Sequence, residues 1–283
     1  MIMKNLLIII ACSTFWSLGA QEKSSKEIEL VLDEGLDVES ISIFNEFDYT
    51  KYDLSIKVFV ESDIASDIFE EFEWTSNVKS LMIFGGKSIN EDSNMTFFPI
   101  NLNNFVNLEH LEIYDFPFIG FSSDITLDSL ETLSIINSRL RHYPMEINNF
   151  EYLENLTLAH CDIESIDSNS ITLSHLEKIS LISIPLSQFP VDLFNMHKVT
   201  HLSINGTNIE KIPSGLVSLS ELKVFSGLTL PGIYECSIEI CTLPKLNEVH
   251  CSFVNDSKIP HCFLDRSIWS KEGVDFYRID DIR

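Results

Sequence analysis

A short apolar template, L-x-x-L-x-L, recurs along most of this chain at a nearly constant interval. Its copies are VKSLMI from Val78, LEHLEI from Leu108, LETLSI from Leu130, LENLTL from Leu153, LEKISL from Leu176, VTHLSI from Val199, LKVFSG from Leu222 and LNEVHC from Leu246. The starts lie 30, 22, 23, 23, 23, 23 and 24 residues apart, and chance does not produce four successive intervals of 23. Such a period predicts a stacked repeat architecture, in which each unit buries its apolar side only against its neighbours.

Within the template, the fourth and sixth residues lie on one face of a strand because side chains alternate with period two. Leu133 and Ile135 are therefore expected to point inward, as are Leu156 and Leu158. A second apolar row recurs between the templates, and in three units a proline follows its second member: Pro144, Pro190 and Pro213. An ordinary α/β domain would need regular helices there, and proline is poorly tolerated inside a helix.

These two rows resemble the leucine-rich repeat family in its 23-residue form, over roughly Val78 to Cys262. The resemblance implies an α/β-type solenoid, a horseshoe with a parallel concave β-sheet and an irregular or short-helical convex side. One departure concerns the ninth residue of each unit, which in the family is usually Asn or Cys and bonds the backbone of the turn after the strand. Here the ninth residues are Phe116, Ser138, Cys161, Ile184, Thr207, Leu230 and Val254. We therefore expect the turns to satisfy their backbone groups in another way.

Residues 1–20 read as a secretory signal peptide: Lys4 precedes an apolar run that ends in Gly19 and Ala20. A rival interpretation is a lipoprotein signal with Cys12 as the lipidated residue. The apolar run is shorter than the roughly 20 residues of a membrane span, and no later segment is long and apolar enough to span. We expect the mature protein to be secreted or at the cell surface, periplasmic or extracellular. The scarcity of Ala and the bias to Ile, Phe and Asn favour a bacterial source.

The remaining domain boundaries follow from the repeats. Residues 21–77 hold alternating strand-like segments, with a degenerate unit from Asp53, and are predicted to cap the solenoid. Repeats occupy 78–262, with a polar insertion around Asn90 to Thr96, and 263–283 form a C-terminal cap or tail. An exposed insertion of this kind can carry function or be merely tolerated.

Charge excludes one class of partner. The chain has 19 Lys and Arg against 43 Asp and Glu, a formal charge of −24. Phosphate contacts need clustered basic residues, so a nucleic-acid binder is not expected. Residues 21–77 carry 16 acidic and 4 basic residues, so the predicted cap holds about half of the negative charge.

Four cysteines near the C-terminus, Cys236, Cys241, Cys251 and Cys262, are predicted disulfide partners in an oxidising compartment, with three pairings open. A metal site that uses His250 and His261 beside two of them is a rival, although no C-x-x-C spacing is present. Cys161 is expected to be a buried thiol. The chain has no recognisable catalytic motif, and its histidines are dispersed, so neither an enzyme nor a cofactor is predicted.

The outward strand positions are the third, fifth and seventh of each unit. Of these 24 positions only Glu112, Lys178 and Glu248 are charged. The seventh positions include an apolar row, and exposed contiguous apolar surface marks an interaction site. The predicted binding face comprises Phe84, His110, Glu112, Tyr114, Ile136, Lys178, Ile182, His201, Asn205 and Leu228. Small hydroxyl residues on a curved sheet would also explain part of the pattern.

Three functions remain open from the sequence. The first is a scaffold that recognises another protein through the concave face, with Phe84 and Tyr114 as anchors. The second is a glycan-binding module, in which these rings stack on sugars and Asn155, Asn205 and His201 bond hydroxyls. The third is a structural surface protein without a dedicated ligand. Asn155 and Asn205 are also glycosylation acceptors if the source is eukaryotic, and glycans there would obstruct the face.

Overall fold

The computed structural model describes residues 11–12, 26–32, 52–60, 75–85, 97–98, 100–167, 170–229, 232–254 and 260. Their strands, β1 to β13 in chain order, are Ala11–Cys12, Lys26–Leu32, Tyr52–Val60, Val78–Gly85, His110–Tyr114, Thr132–Ile136, Asn155–Ala159, Lys178–Ile182, His201–Ser203, Lys211–Ile212, Val224–Gly227, Glu235–Cys236 and Glu248–Cys251. The helical segments of the described part are short 3-10 turns at Thr75–Asn77, Leu102–Asn104, Met145–Asn149, Val191–Asn195, Ser214–Ser218 and Ile238–Thr242.

One sheet of eleven strands forms the body of the molecule, in the order β1-β2-β3-β4-β5-β6-β7-β8-β9-β11-β13. Neighbouring strands within this sheet are parallel, except that β1 pairs with β2 in the antiparallel direction. β2 and β3 extend the parallel sheet N-terminal to Val78, into the predicted cap, and β1 falls inside the predicted signal peptide. A small second sheet joins β10 to β12. This architecture is the predicted solenoid with a parallel sheet.

Equivalent positions of successive units lie opposite one another, which builds a continuous core. Leu111 pairs with Leu133, Leu133 with Leu156, and Leu156 with Ile179. These inward residues are almost completely buried, as are the sixth residues of the same units. The predicted division of the template into inward fourth and sixth positions is therefore confirmed.

Short 3-10 turns lie on the convex side, where the resemblance implied irregular or short-helical structure and the prolines argued against regular helices. Pro144, Pro190 and Pro213 each immediately precede a five-residue 3-10 turn, in extended backbone conformation. Proline suits this place because it fixes φ near the required value and the turn does not need its missing N–H. A cluster of aromatic rings fills the core beneath the first of these turns, with Phe121 6.0 Å from Phe150 between ring centroids.

The turn after each strand satisfies its backbone through the next unit. Its eighth residue adopts the left-handed conformation in five consecutive units: Asp115, Asn137, His160, Ser183 and Gly206, with φ of 53°, 56°, 53°, 52° and 68°. In each case its N–H donates to the carbonyl of the seventh residue of the following unit, at 2.7 to 3.0 Å. The backbone ladder thus continues one residue past the strand, which is how the turns manage without the polar ninth residue.

Ninth-position side chains are mostly buried, and their polar atoms have few partners. The Thr207 hydroxyl donates to the Ile204 carbonyl at 2.8 Å, and Cys161 Sγ lies 3.4 Å from the Ala159 carbonyl. Ser138 Oγ is buried and has no hydrogen-bond partner. Packing against neighbouring units therefore holds this column more than side-chain hydrogen bonds do.

The cysteines depart in part from the predicted disulfide set. Cys236 and Cys251 are free thiols. Cys251 is fully buried at an inward strand position, where the template requires an apolar core residue, and burial raises its pKa. Cys241 is disulfide-bonded, and Cys262 lies outside the described residues. Cys161 is a buried free thiol, as expected.

Candidate binding face on the concave sheet

The ten residues of the predicted face all lie on the outward side of the concave sheet. They occupy third, fifth or seventh positions, and each side chain is partly or fully exposed. The structure places Phe84 and Tyr114 side by side on β4 and β5, whereas Lys178 and His201 lie on β8 and β9. The face therefore has an N-terminal and a C-terminal part with different side chains.

Three aromatic rings stack across β3, β4 and β5. Phe59 and Phe84 have ring centroids 4.9 Å apart at an angle of 14°, and Phe84 and Tyr114 are 4.9 Å apart at 7°. The three residues are register partners, and parallel strands lie about 4.8 Å apart, so the register itself brings the rings face to face. We call Phe59, Phe84 and Tyr114 the aromatic stack.

Phe59 is missing from the residues that the sequence singled out. Its strand does not follow the counted template, but the alternation along β3 places Leu54, Ile56 and Val58 inside and Phe59 outside. Phe59 is 43% exposed, so the stack ends in an accessible ring. Strand alternation alone, extended N-terminal to the first counted unit, would have identified it.

An apolar column continues the line of the stack through the seventh positions. Tyr114 pairs with Ile136, Ile136 with Ala159, and Ala159 with Ile182. We call Ile136, Ala159 and Ile182 the apolar column. Ala159 is buried between its two larger neighbours, which are partly exposed. Stack and column together form a continuous apolar surface across six strands.

Tyr114 is fixed by its neighbour on the same strand. Its hydroxyl donates to the Glu112 carboxylate, two residues away on the same face. This hydrogen bond, together with burial and the carboxylate charge, raises the pKa of Tyr114 to about 12. The ring is thus held as a neutral phenol within the stack, and Glu112 is the acceptor.

Asn205 has a structural role that the sequence did not reveal. Its side-chain oxygen accepts hydrogen bonds from the Leu228 N–H at 2.9 Å and from the Ser226 hydroxyl at 2.8 Å. β9 is only three residues long, and this side chain ties the end of that unit to β11. Asn205 therefore links two units as well as lying on the predicted face.

The C-terminal part of the face is polar and carries cations. Lys178 is the register partner of His201. Burial lowers the pKa of His201, and the charges of Lys178 and Lys223 lower it further. On the last strand, His250 Nε2 lies 2.6 Å from a Glu248 carboxylate oxygen.

A row of glutamates borders the middle of the face at the second position of each unit. Glu131, Glu154 and Glu177 occupy this column, and each of their carbonyls accepts two N–H groups from the following unit. All three are exposed. The column then changes to Thr200 and Lys223, so the border reverses its charge toward the C-terminal end.

The described residues contain no group of three or more His, Cys, Asp or Glu side chains that could hold a metal ion. His250 and Cys251 of the rival metal hypothesis are adjacent on β13 and point to opposite faces, and His261 and Cys262 lie outside the described residues. None of the described helices is long and apolar enough to cross a membrane.

No protein-family model and no curated protein matches the sequence. Solved structures do match its fold. InlP of Listeria monocytogenes aligns with a TM-score of 0.60 and 17% identity, over 82% of this chain and 63% of that one. A chain of the Toll–Spatzle complex of Drosophila aligns with a TM-score of 0.57 and 11% identity, over 80% of this chain and 31% of that one.

The plant peptide hormone receptor RGFR1, in complex with RGF2, aligns with a TM-score of 0.50 and 17% identity, over 93% of this chain and 48% of that one. The chain thus spans less than two thirds of the length of each of these structures. The parallel sheet of stacked repeats and the alignment with InlP show the fold of a leucine-rich repeat solenoid, as the repeat pattern predicted.

Proposed function

We propose that this leucine-rich repeat chain is a scaffold, secreted or at the cell surface, that binds another protein through its concave face. The observation that carries the proposal is the apolar surface formed by the aromatic stack and the apolar column. It crosses the face of a strongly acidic protein at outward positions, where the fold does not need apolar side chains. Contiguous exposed apolar surface of this kind marks interaction sites on soluble proteins.

The dimensions of the face suit a protein partner. Strands β4 to β13 of the main sheet span on the order of 35 Å, and a standard interface needs about 800 Å² from each partner. Interfaces favour aromatic anchors at their centre, surrounded by polar residues. Phe84 and Tyr114 supply such anchors, and the glutamate row supplies a polar border.

Stacking of the rings favours a protein over a glycan as the ligand. A sugar binds an aromatic side chain through the open face of its ring, but both faces of Phe84 are covered, by Phe59 and Tyr114. The central ring of the stack therefore presents only its edge to a ligand. Ring edges pack well against apolar and aromatic side chains of another protein.

Two of the matched structures are complexes, which is consistent with this class of function. One is a complex of Toll with Spatzle, and the other is the plant peptide hormone receptor RGFR1 in complex with RGF2. Both are more than twice as long as the part that this chain covers.

The proposal is tested by adding charge to the apolar column. We expect the variant Ile136→Asp with Ile182→Asp to fold normally and to lose a partner that the wild type captures from native surface extract or culture fluid. The two substitutions lie two strands apart on the outward side, so the core is untouched. Circular dichroism and thermal unfolding report on folding, and quantitative pull-down reports on capture.

A matched control places the same two changes on the convex side. Met145 and Val191 are about half exposed, and each begins a 3-10 turn. Met145→Asp with Val191→Asp should retain capture. If the column variant and the wild type recover the same partner equally, the concave surface is not the binding site.

Export is the second part of the proposal, and it rests on the leader-like residues 1–20. N-terminal sequencing of the mature protein should begin at Gln21 after signal cleavage. A start at a lipid-modified Cys12 would instead identify a lipoprotein. An intact N-terminus in exported protein would argue against both cleavage sites.

A further inference from the structure

We propose that Lys178, His201 and Lys223 form an anion-binding site on the C-terminal half of the concave face, which receives a carboxylate side chain of the protein partner. The identity of the occupant rests on the proposed function, whereas the site itself can be tested without the partner. We call these three residues the cation site.

The two lysines of the cation site differ from three other described lysines in their salt bridges. Three other lysines form salt bridges with a glutamate of a neighbouring unit: Lys79 with Glu109 at 2.5 Å, Lys211 with Glu235 at 3.5 Å and Lys245 with Glu221 at 2.5 Å. Within the described residues, neither Lys178 nor Lys223 makes such a bridge. Arg141 and Lys198 make none either, but they lie in loops outside the sheet.

Strand register brings the cation site together. Lys178 on β8 and Val224 on β11 are both register partners of His201 on β9, and Lys223 directly precedes Val224. One lysine thus lies on each side of the imidazole, Lys178 on the strand before it and Lys223 directly before the strand after it. An anion placed over His201 would therefore be attracted by positive charge from both sides.

Hydrogen bonding leaves one nitrogen of His201 available to a ligand. The Thr200 hydroxyl donates to the Glu177 carbonyl at 3.2 Å and lies 2.8 Å from His201 Nδ1. The contact with Thr200 engages Nδ1, and Nε2 has no partner among the described residues. A bound carboxylate would favour protonation of Nε2 and would add a third charged donor.

The charges around His201 set the expected pH dependence. Lys178 and Lys223 oppose protonation, and Glu248 on β13 favours it. Glu248 is engaged by His250, and the Glu177 side chain borders the site from the unit of β8. Binding of a carboxylate should therefore take up a proton and become tighter as the pH falls from 7.5 to 5.5, where glutamate side chains are still mostly ionised.

The position of the cation site gives the partner a defined orientation. β4, which carries Phe84, and β8, which carries Lys178, are four strand spacings apart, about 19 Å. One protein of ordinary size can contact both. Its apolar surface would cover the aromatic stack, and an acidic residue would reach the cation site. Each lysine supplies a compact positive charge with three rotatable donors, which can bond a carboxylate oxygen.

The site is tested by titrating the protein with a capped hexaglutamate peptide at low salt and pH 7. Binding is followed by NMR as a shift of the His201 ring proton signals. We expect a saturable shift in the wild type and at least about fivefold weaker binding in Lys178→Gln with Lys223→Gln. The control Lys211→Gln with Lys245→Gln removes the same charge from two paired lysines and should bind like the wild type. Wild-type binding should tighten at pH 5.5.

Two results would overturn the site: no saturable shift in the wild type, or equal affinity in the cation-site variant. A sulfated disaccharide forms a second arm of the experiment. Saturation by the sugar but not by the peptide would overturn the carboxylate assignment. Loss of partner capture in the column variant is a separate result, because the peptide titration needs no natural partner.

Discussion

The two ends of the concave face are built from the same repeat but present different chemistry. At the N-terminal end, outward positions hold the aromatic stack, and its rings cover one another. At the C-terminal end, the equivalent strands hold Lys178, His201 and the His250–Glu248 pair. The inward columns are apolar at both ends. The repeat therefore fixes the core and leaves the outward positions free for recognition.

The largest expected effect tests whether the two ends share one scaffold. Leu133→Ala near the N-terminal end and Leu202→Ala near the C-terminal end should each lower the free energy of unfolding by about 2–5 kcal/mol, because both side chains are almost completely buried. Urea unfolding followed by circular dichroism measures the loss.

Outward substitutions provide the control for the two core variants. Ser134→Ala and Ser180→Ala on the same sheet should change the unfolding free energy by less than about 0.5 kcal/mol. If an outward substitution lowered the unfolding free energy as much as the core substitutions, the outward side chains would contribute to the packed core. A much smaller loss for Leu202→Ala than for Leu133→Ala would show that the C-terminal end is less cooperatively held.

A smaller effect is expected from the aromatic stack. Phe84→Ala removes both ring contacts of the central ring, and aromatic pairs are worth about 0.5–1.5 kcal/mol each beyond their burial. We expect a stability loss of about 1–3 kcal/mol together with loss of the partner. Lys178→Gln at the other end should leave the unfolding free energy unchanged, because the lysine is exposed and makes no salt bridge within the described chain.

The leucine analogue separates the two contributions of Phe84. Phe84→Leu keeps apolar area but removes stacking, so it should recover part of the stability. Full recovery of both stability and capture would show that apolar area alone, and not the stacked geometry, distinguishes this end of the face.

Much of the fold could be predicted because it depends on a period. Inward columns and strand register follow from the apolar spacing. The backbone chemistry of proline argues against regular helices between the strands but does not specify the 3-10 turns. The face could be predicted only as a set of outward positions. Ring stacking, the Tyr114–Glu112 hydrogen bond and the second role of Asn205 depend on contacts between units, which a count within one unit does not contain.

The disulfide prediction also failed in part because it considered the cysteines by their clustering and not by their positions in the stacked units. Compartment and clustering argue for pairing, but Cys251 occupies a core position in the template, and the template takes precedence over the clustering. The left-handed turns were not predicted either. Asp115, His160 and Ser183 are not glycine, and the inter-unit ladder holds them in that conformation.

The smallest expected effect concerns protonation at the C-terminal end. The pKa of His201 lies below its ordinary value of about 6.5, through burial and the neighbouring lysines. The unfolded chain therefore protonates His201 at a higher pH than the folded chain does. The contribution of His201 to stability is fully present above about pH 6.5 and is lost as the pH falls from there to the pKa of the folded state. The side chain is only partly buried, so the change in stability should be slight. The pKa itself is directly measurable by NMR titration of the ring protons. Lys178→Gln with Lys223→Gln should raise it, whereas Phe84→Ala at the other end of the face should leave it unchanged. An unchanged pKa in the double variant would mean that burial alone sets the value, and the two ends of the face would then differ in shape more than in charge.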